Sequence, residues 1–491
     1  MVRSQVQGLL IVRIMSVGRA FWKVLACIGS DSWMAAVYHA SHGSALGEQE
    51  GHACWNTQLF LNSTLYLSDQ SKVDMKYGRQ ESVAWERVLK QPYVHIIFGA
   101  RQTGKSTLLK ALLPKASLSL DLSRPALRAQ YLSDPDLLVR ECEAMPRSRK
   151  PHVVVVDEAQ NVPAIFDAVQ YLYDGDKRRW RFVLCGSSAR KLRITGANLL
   201  PGRSMIHHLF PLTLAERPAP GAGEAIKPPR DWPFAKGKGA AHVERPFPAT
   251  GIEERMLFGE LPGIAIAPKA QRGQLLRTYS LVYLEEELRR EALVKDWPAF
   301  ARFLRLAAVG SGNMINYTSI SNEAGVSLPT VKTYYQLLED LFMGFTVSAF
   351  SGSPRKSVLS TGRFCFFDLG VRNAAAEVPL SMDMVRTAPG PLFEQWVTTE
   401  LWKRLRYRGE GSLHYLRTKA GMEVDLIVAL GGKLTPIEVK WTERPTAHDA
   451  RHLKTFLDDH PDKASHGFIV CRCERPQAIT ERVTAIPWWM M

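Results

Sequence analysis

The stretch GARQTGKS at residues 99–106 constrains the fold of this chain more than any other stretch. It matches the pattern G-x-x-x-x-G-K-[S/T] in full, and it follows an apolar run, YVHIIFG (93–99), that is typical of a strand. The glycines let the backbone curl so that its N–H groups face phosphate oxygens, and the following helix adds the partial positive charge of its N-terminus. The pattern predicts a phosphate-binding loop on a parallel α/β sheet; the alternative is a glycine-rich strand-to-helix turn without a ligand.

The residues of this loop have predicted roles toward ATP and Mg²⁺. Lys105 is expected to reach the β- and γ-phosphates, and the Ser106 hydroxyl is expected to ligate Mg²⁺. The residues predicted to contact the nucleotide are Gly99, Ala100, Arg101, Gln102, Thr103, Gly104, Lys105, Ser106 and Thr107.

A second motif, VVVVDEAQ (153–160), predicts a buried central strand that ends in two carboxylates. Ligands of open α/β sheets bind at this carboxyl end of the strands. Asp157 is expected to hold Mg²⁺ through its water shell. Glu158 is expected to polarise the attacking water, which distinguishes an ATP hydrolase from a protein that only binds ATP. An acidic pair that caps a helix is the alternative interpretation.

Two further segments, GSSARKL (186–192) and LLPGR (199–203), supply polar groups for the same predicted site. Ser187 and Ser188 lie at the end of the next predicted strand, where a hydroxyl can hydrogen-bond the γ-phosphate or the lytic water. Arg203 is a candidate for stabilising transition-state charge, in its own subunit or in a neighbouring one. For Arg203 the alternative is a solvated surface arginine.

Composition places the chain among globular proteins with several domains. A length of 491 residues exceeds what one core usually organises, so about three domains are expected. No apolar run approaches the roughly 20 residues that span a bilayer. Seven scattered cysteines without a CxxC pair argue against a disulfide framework or a zinc site and favour the cytoplasm. The net charge of +15 favours an anionic partner such as nucleic acid, although a basic surface explains it as well.

Changes of pattern divide the chain into five predicted regions. Residues 1–74 show no sustained period and are predicted to be an extension outside the native fold, with Met75 as the alternative initiator. Residues 75–216 alternate apolar runs with helical stretches, which predicts βα units around a parallel sheet. The Pro- and Gly-rich residues 217–268 are predicted to be a linker or long loop. The strands predicted in the second region are 93–99, 118–122, 152–158, 181–186 and 211–216.

The remaining two regions are a predicted helical domain at 269–390 and a last unit at 391–491. Within the helical domain, residues 317–341 are typical of a helix-turn-helix, with the second helix entered through Ser327 and Pro329. The strand-like stretches TVSAF and RFCFFD follow it and predict a wing.

A β-hairpin is predicted by EVDLIVALGGKLTPIEVK, residues 423–440. If Gly431 and Gly432 form the turn, Asp425 lies directly opposite Glu438. Like charges in opposite positions destabilise a sheet, so a chemical role of the two carboxylates would explain why they face each other.

Together these motifs resemble a large prokaryotic group of AAA-type ATPases with a C-terminal domain of uncharacterised function. The resemblance covers roughly residues 75–475 and implies a P-loop NTPase parallel sheet, followed by a helical or winged-helix segment and a PD-(D/E)xK nuclease-like core, a restriction-endonuclease-like α/β domain. Residues 1–74 match nothing in the group, and residues 217–251 are longer than its usual connection. The segments that carry the resemblance are FGARQTGKSTLLK, VVVDEAQ, GSSARKL, LPGR, LEEELRR, VSLPTVKTYYQLLEDL, FFDLG, LFEQWVTTEL, EVDLIV and PIEVK.

This resemblance also implies roles for four C-terminal residues. Asp425, Glu438 and Lys440 match the nuclease-like signature, and Glu394 in LFEQW matches its helical acid. Asp425 and Glu438 can jointly ligate a second divalent metal, which removes their repulsion. Lys440 can lower the pKa of a metal-bound water or stabilise the transition state. The alternative is an inherited fold on which these charges only pair with each other.

Three hypotheses of function are compatible with the sequence. The first is a cytoplasmic Mg²⁺-dependent ATPase that drives a DNA-binding C-terminal half, with or without nuclease activity; Lys332, Arg355 and Lys356 are its candidate phosphate contacts. The second is an ATP-dependent switch whose nuclease-like domain is an inert binding platform. The third is a DNA-binding regulator without enzymatic activity. Glu158 favours turnover, and the oligomeric state stays open.

Overall fold

The computed structural model describes residues 77–187, 200–221, 227–235, 243, 245–280, 294, 296–351, 361–418 and 420–491, together with the backbone of three N-terminal strands. The chain divides into two units, Met1–Val73 and Asp74–Met491. Within the described ranges, no helix combines the length and the apolarity that crossing a membrane requires.

The N-terminal unit contains the strands β1 (Leu9–Arg13), β2 (Phe21–Gly29) and β3 (Ser32–Ala40). They form an antiparallel sheet in the order β1-β2-β3. The prediction that this region is an extension outside the native fold stays a prediction, although the region contains these strands. Its apolar runs, such as VLACI, are continuous and do not alternate with polar residues, so the strand period is not visible in the sequence.

The second unit begins with a parallel sheet whose strand order is β5-β6-β7-β4-β8. Alternate residues of its strands pack against helices on both faces: Ile96 and Val154 contribute to one apolar cluster, and Ile97 and Val155 to another. This is the predicted P-loop type of α/β sheet. Its elements are α1 (Ser82–Val88), β4 (Val94–Phe98), α2 (Lys105–Leu112), β5 (Leu118–Asp121), α3 (Pro125–Ser133), α4 (Leu137–Glu143), β6 (His152–Asp157), α5 (Ala164–Gly175), β7 (Trp180–Gly186) and β8 (Ser204–His208).

The predicted strand at 211–216 is wrong, whereas the other four predicted strands of this sheet are confirmed. The fifth strand is β8, and residues 211–216 form turns. Two of their backbone groups bond to side chains: the Leu212 carbonyl accepts from Lys403 Nζ (2.5 Å), and the Leu214 N–H donates to Glu400 Oε1 (2.9 Å). The apolar alternation of PLTLAE thus reflects burial and not strand pairing.

Helices predominate between residues 252 and 387 of the described chain. The predicted helix-turn-helix is confirmed as two consecutive helices, with Gly325 at φ 72° after the first and the Ser327 hydroxyl accepting from the Thr330 N–H (3.3 Å) at the start of the second. Two helices also lie within the stretch predicted as a linker. The elements are α6 (Ile252–Phe258), α7 (Pro262–Ile266), α8 (Lys269–Thr278), α9 (Trp297–Val309), α10 (Tyr317–Ala324), α11 (Leu328–Asp340), β9 (Gly344–Ala349), β10 (Arg363–Phe366), α12 (Leu369–Ala375) and α13 (Met382–Thr387).

An eight-stranded mixed sheet forms the C-terminal part of the described chain, in the order β10-β9-β11-β12-β13-β14-β16-β15. The strands β9 and β10, predicted as a wing, pair with each other and also extend this sheet, because β9 runs parallel to β11. The long helix α14 and the helix α15 pack against separate apolar clusters of the sheet. The elements are α14 (Pro389–Arg408), β11 (Ser412–Arg417), β12 (Glu423–Leu430), β13 (Lys433–Val439), α15 (Arg451–Asp459), β14 (Gly467–Cys471), β15 (Gln477–Thr480) and β16 (Val483–Pro487).

Candidate functional site

The GARQTGKS loop joins β4 to α2 at the carboxyl edge of the parallel sheet. Gly104 has φ 90°, in the left-handed region that glycine adopts at little cost. Lys105 begins α2, and its Nζ donates to the carbonyl oxygens of Gly99 (2.8 Å) and Ala100 (2.9 Å). The lysine is therefore held within the loop, at the N-terminal end of a helix.

Two side chains from outside the sheet hold carbonyl groups of this loop. Arg79 Nη1 donates to the Thr103 carbonyl (2.6 Å), and the Tyr279 hydroxyl donates to the Arg101 carbonyl (3.2 Å). Sequence reasoning missed both residues. In the sequence, Arg79 is a single arginine before α1 and Tyr279 is a single tyrosine after α8, and neither belongs to a motif.

The structure brings Ser106 and Asp157 together across the α2–β6 junction. Burial raises the pKa of Asp157 above its ordinary value, and the charge of Glu158 adds to this effect, while a hydrogen bond from the Ser106 hydroxyl opposes it. A hydroxyl and a carboxylate are oxygen donors of the type that Mg²⁺ takes. The pair therefore fits the magnesium role predicted for it.

Glu158 takes part in a local network with Gln160 and Ser187. Glu158 has φ 54°, a left-handed conformation that is uncommon for a residue with a side chain. The Ser187 hydroxyl donates to Glu158 Oε2 (3.1 Å), and Gln160 Nε2 donates to Ser187 Oγ (3.0 Å) and to Glu158. The network orients the carboxylate at the end of β6. Residues 188–199, the rest of the GSSARKL segment included, lie outside the described chain.

Arg203 lies at the opposite edge of the sheet from the loop. Its carbonyl accepts from the N–H of Val94, the first residue of β4, whereas the loop follows the last residue of that strand. Five strand residues separate the two edges by about 13 Å. The Arg203 guanidinium pairs with Asp174 (Nε–Oδ1, 2.6 Å). The structure therefore does not bring Arg203 to the loop of its own chain.

The predicted C-terminal hairpin has the predicted register. Leu426 pairs with Ile437 and Leu430 pairs with Lys433. Gly431 and Gly432 have φ 57° and 77°, as a two-residue turn of type I′ requires.

At the open end of this hairpin, Asp425 and Glu438 are both buried. Asp425 Oδ2 accepts from the Val439 N–H (2.9 Å), and Glu438 Oε1 accepts from Lys440 Nζ (2.6 Å). The second oxygen of Glu438 is buried without a hydrogen-bond partner in the described chain.

Glu394 is tied to this region through Arg363, a residue that sequence reasoning missed. The Arg363 guanidinium donates to Glu394 Oε1 (2.8 Å) and to Glu423 Oε1 (2.8 Å), and it stacks 4.3 Å from the centroid of the Tyr415 ring. Its signal in the sequence is one arginine that opens the otherwise apolar strand β10. We refer to Glu394, Glu423, Asp425 and Glu438 with Arg363 and Lys440 as the acidic cluster.

Electrostatic strain distinguishes the acidic cluster. Burial, and next the charge of Asp425, raise the pKa of Glu394 to about 7 and that of Glu438 to about 8. Burial also raises the pKa of Asp425. For Lys440 burial acts to lower the pKa, but the charges of Asp425 and Glu438 prevail and raise it.

The acidic cluster does not form a ready metal site. Nowhere in the described part of the chain do three or more His, Cys, Asp or Glu side chains lie close enough together to hold a metal ion. The second metal site inferred for Asp425 and Glu438 therefore stays a prediction. The carboxylates are instead neutralised in part by Arg363 and Lys440.

Of the predicted nucleic-acid contacts, Lys332 lies exposed on α11, with its Nζ 5.5 Å from the centroid of the Tyr317 ring. Arg355 and Lys356 lie outside the described residues. Val331, Tyr335 and Leu338 of the same helix are buried, so one face of the helix packs and the other is exposed.

Three protein families match successive parts of the chain. An AAA domain matches residues 91–217, and two domains of unknown function match residues 249–381 and 389–491. The first match supports an AAA-type P-loop ATPase domain with nucleotide binding. The other two carry no assigned function.

Similar proteins occur in several bacteria. An uncharacterised protein of Mycobacterium tuberculosis and one of Mycobacterium bovis are each 22% identical over 412 residues, covering 83% of this chain and 83% of theirs. An uncharacterised protein of Haemophilus influenzae is 22% identical over 299 residues, 58% of this chain and 69% of its own length. Among solved structures, protein VC1899 from Vibrio cholerae is 13% identical, with 81% of this chain and 94% of that chain covered at a TM-score of 0.16.

Proposed function

We propose that this chain binds ATP with Mg²⁺ at the GARQTGKS loop and hydrolyses it. The observation that carries the proposal is the convergence of Lys105, Ser106 and the Asp157–Glu158 pair at one edge of the parallel sheet. The AAA domain match over residues 91–217 supports it independently.

Each residue of this edge has a separate role in the proposal. Lys105 exchanges its bonds to the loop carbonyls for the β- and γ-phosphates, and Ser106 with Asp157 holds Mg²⁺. Glu158, oriented by Gln160 and Ser187, accepts the proton of the attacking water. Bound Mg²⁺ supplies charge neutralisation at the phosphates.

Arg203 enters this proposal only through a second copy of the chain. Its position at the far edge of its own sheet leaves the loop of a neighbouring subunit as its target. An arginine provided by a neighbour stabilises transition-state charge in other P-loop proteins. This role requires an oligomer, which we propose together with it.

The loop is tested by replacing Lys105 with alanine. We expect Lys105→Ala to lower the rate of ATP hydrolysis by about 10²–10³-fold, because the cation at the phosphates is lost. Release of inorganic phosphate, with and without DNA, measures the effect. Lys110→Ala, an exposed lysine on the same helix, is the matched control and should leave the rate unchanged. If wild-type protein shows neither ATP binding nor turnover, the proposal is wrong.

For the C-terminal half we propose a DNA-binding module that responds to the ATPase domain. Its support is the exposed Lys332 on the second helix of the helix-turn-helix and the net charge of +15. The nuclease-like resemblance adds metal-dependent cleavage at Asp425 and Glu438 as the stronger form of this proposal.

A second candidate function is a nucleotide-dependent switch whose acidic cluster is an inert binding platform. Arg363 and Lys440 favour it, because they already form ion pairs with Glu394, Glu423 and Glu438. A cluster balanced in this way has less need of a metal ion.

Metal-dependent cleavage separates the two candidates. If the acidic cluster is a nuclease site, wild-type protein with Mn²⁺ should cut DNA and Asp425→Asn should lose about 10²-fold or more of that activity, because a metal-binding carboxylate is removed. Fluorescently labelled single- and double-stranded DNA in denaturing gels provide the measurement, with exposed Asp459→Asn as the control. Equal cleavage by both variants, or none by wild type, favours the binding platform.

A further inference from the structure

Arg79 is a buried arginine whose hydrogen bonds converge on the loop and on the segment after β8. Its side chain is only 4% exposed. Nη1 donates to the Thr103 carbonyl (2.6 Å), Nη2 to the Phe210 carbonyl (2.7 Å) and Nε to Glu216 Oε1 (2.7 Å). Each guanidinium nitrogen therefore has its own acceptor, and one of the three acceptors belongs to the loop.

Glu216 fixes the orientation of Arg79. It is fully buried, and Oε1 also accepts from the Gln80 N–H (2.8 Å), while Oε2 accepts from the Thr213 N–H (2.8 Å). Backbone groups thus hold both carboxylate oxygens independently of the arginine. A buried ion pair is weak evidence of a stabilising role, since apolar residues of similar volume often stabilise a fold as well. The arrangement is better explained by the position it imposes on the loop.

The Thr103 carbonyl is informative because of the peptide plane to which it belongs. In a trans peptide the C=O of one residue and the N–H of the next lie in one plane and point in opposite directions. A bond that holds the Thr103 carbonyl toward Arg79 therefore directs the Gly104 N–H away from Arg79. Gly104 has φ 90°, and glycine is the residue with most freedom to reverse such a plane.

We propose that Arg79 is a positioning residue for nucleotide binding, which fixes the Thr103–Gly104 peptide so that its N–H faces the phosphates. Arg79 itself does not touch the nucleotide. The inference rests on the proposed ATPase function and deepens it, because it assigns the loop geometry to a residue outside the sheet. Tyr279 holds the Arg101–Gln102 peptide in the same manner from the helical region.

The substitution Arg79→Lys tests this role. Lysine keeps the positive charge next to Glu216, but its single nitrogen does not serve three acceptors in three directions. We expect KM and the dissociation constant for ATP to rise about 10- to 100-fold, as for a lost hydrogen bond to a charged group. The kcat value should stay within about threefold of wild type, because the loop holds the phosphates alike in the ground state and the transition state.

A purely structural role for Arg79 would give a different result. If Arg79→Lys only lowers the fraction of folded protein, apparent kcat falls and KM stays constant. Arg140→Lys, which alters an exposed arginine paired with Asp134 in the same domain, is the matched control and should change neither constant. Glu216→Gln, which removes the negative charge that orients Arg79 but keeps the arginine, should raise KM in the same direction by a smaller factor.

Hydrogen exchange separates failure of this inference from failure of the ATPase proposal. Amides of residues 99–107 should exchange faster in Arg79→Lys than in wild type, while the peptides of β14 and β16 stay unchanged. An unchanged KM together with unchanged exchange of the loop overturns the positioning role and leaves the ATPase proposal intact. Wild-type protein that neither binds nor hydrolyses ATP overturns the ATPase proposal, and the inference with it.

Discussion

Charged side chains are paired differently in the loop of the parallel sheet and in the acidic cluster of the mixed sheet. At the loop, Lys105 donates to two carbonyls and Ser106 donates to Asp157, so that opposite partners meet at short range. In the acidic cluster, four carboxylates share two cations, and the pKa values of Glu394 and Glu438 rise to about 7 and about 8.

This difference shows how strongly each region depends on a group from outside. The loop is arranged by the protein's own hydrogen bonds and is expected to keep its geometry with or without a nucleotide. The carboxylates of the acidic cluster repel one another, and protons, a metal ion or the basic group of a partner would relieve this repulsion.

The largest effect that tests this comparison is expected at Glu158. Glu158→Gln keeps the size of the side chain and removes its capacity as a base, so kcat for ATP hydrolysis should fall by about 10²–10⁴-fold. The dissociation constant for ATP should change little, because Glu158 is expected to act on water and not on phosphate. Phosphate release and binding of a fluorescent ATP analogue measure the two quantities. Glu143→Gln, at an exposed position of α4, is the control. Turnover near the wild-type rate in Glu158→Gln would remove Glu158 from the mechanism.

A smaller effect, on stability, is expected at Arg363. Arg363→Met removes the cation that Glu394 and Glu423 share. The side chain of Arg363 is 9% exposed. The free energy of unfolding should fall by about 1–3 kcal/mol, less than for a fully buried ion pair that loses one partner, because the side chains of Glu394 and Glu423 are 32% and 37% exposed. Urea denaturation followed by tryptophan fluorescence gives the value.

Arg203→Met provides the matched comparison for Arg363→Met. The Arg203–Asp174 pair lies at the surface, where such pairs contribute little, so unfolding should not change measurably. If both variants unfold at the same urea concentration, the acidic cluster is not under electrostatic strain.

The smallest effect is a dependence of stability on pH in the parallel sheet. Burial lowers the pKa of His95, and burial together with the charge of His95 lowers that of His207 to about 4. Their ring nitrogens lie 3.1 Å apart. Unfolded histidines bind protons below about pH 6.5, whereas folded His207 stays neutral to about pH 4, and the lowered pKa of His95 acts in the same direction. The free energy of unfolding should therefore decrease as the pH falls from 6.5 to 4.

The acidic cluster should give the free energy of unfolding the opposite dependence on pH. The folded carboxyl of Glu438 keeps its proton up to about pH 8, and the unfolded one loses it near pH 4.5. The contribution of Glu438 to the free energy of unfolding therefore decreases as the pH rises from about 4.5 to about 8. Denaturation curves at several pH values for wild type, His207→Gln and Glu438→Gln separate the two slopes. A slope that is the same in all three proteins would contradict both assignments.

The sequence predicts most of what depends on local pattern. The loop, the acidic end of β6 and the hairpin register follow from short motifs in which each residue type has a fixed geometric role. The two-residue turn at Gly431 and Gly432 determines which residues face each other, so the sequence alone is enough to place Asp425 opposite Glu438.

Contacts between distant segments could not be predicted in the same way. Arg79 and Arg363 act on the loop and on the acidic cluster from 24 and 31 residues away along the chain, and neither belongs to a motif. The stretch PLTLAE has the alternation of a strand, but two of its backbone groups bond to side chains of α14. Pattern indicates which residues are buried and does not indicate what covers them.

The hydrogen bonds between α14 and residues 211–216 limit where this protein can be shortened. The AAA domain match ends at residue 217, yet Lys403 and Glu400 supply the partners of the Leu212 carbonyl and the Leu214 N–H. A shortened chain that stops at residue 217 would lose both partners and leave these two backbone groups to bond with water. The end of the AAA domain match at residue 217 is therefore not a point at which the chain can be shortened without loss of contacts, and the AAA domain is best studied in the intact chain.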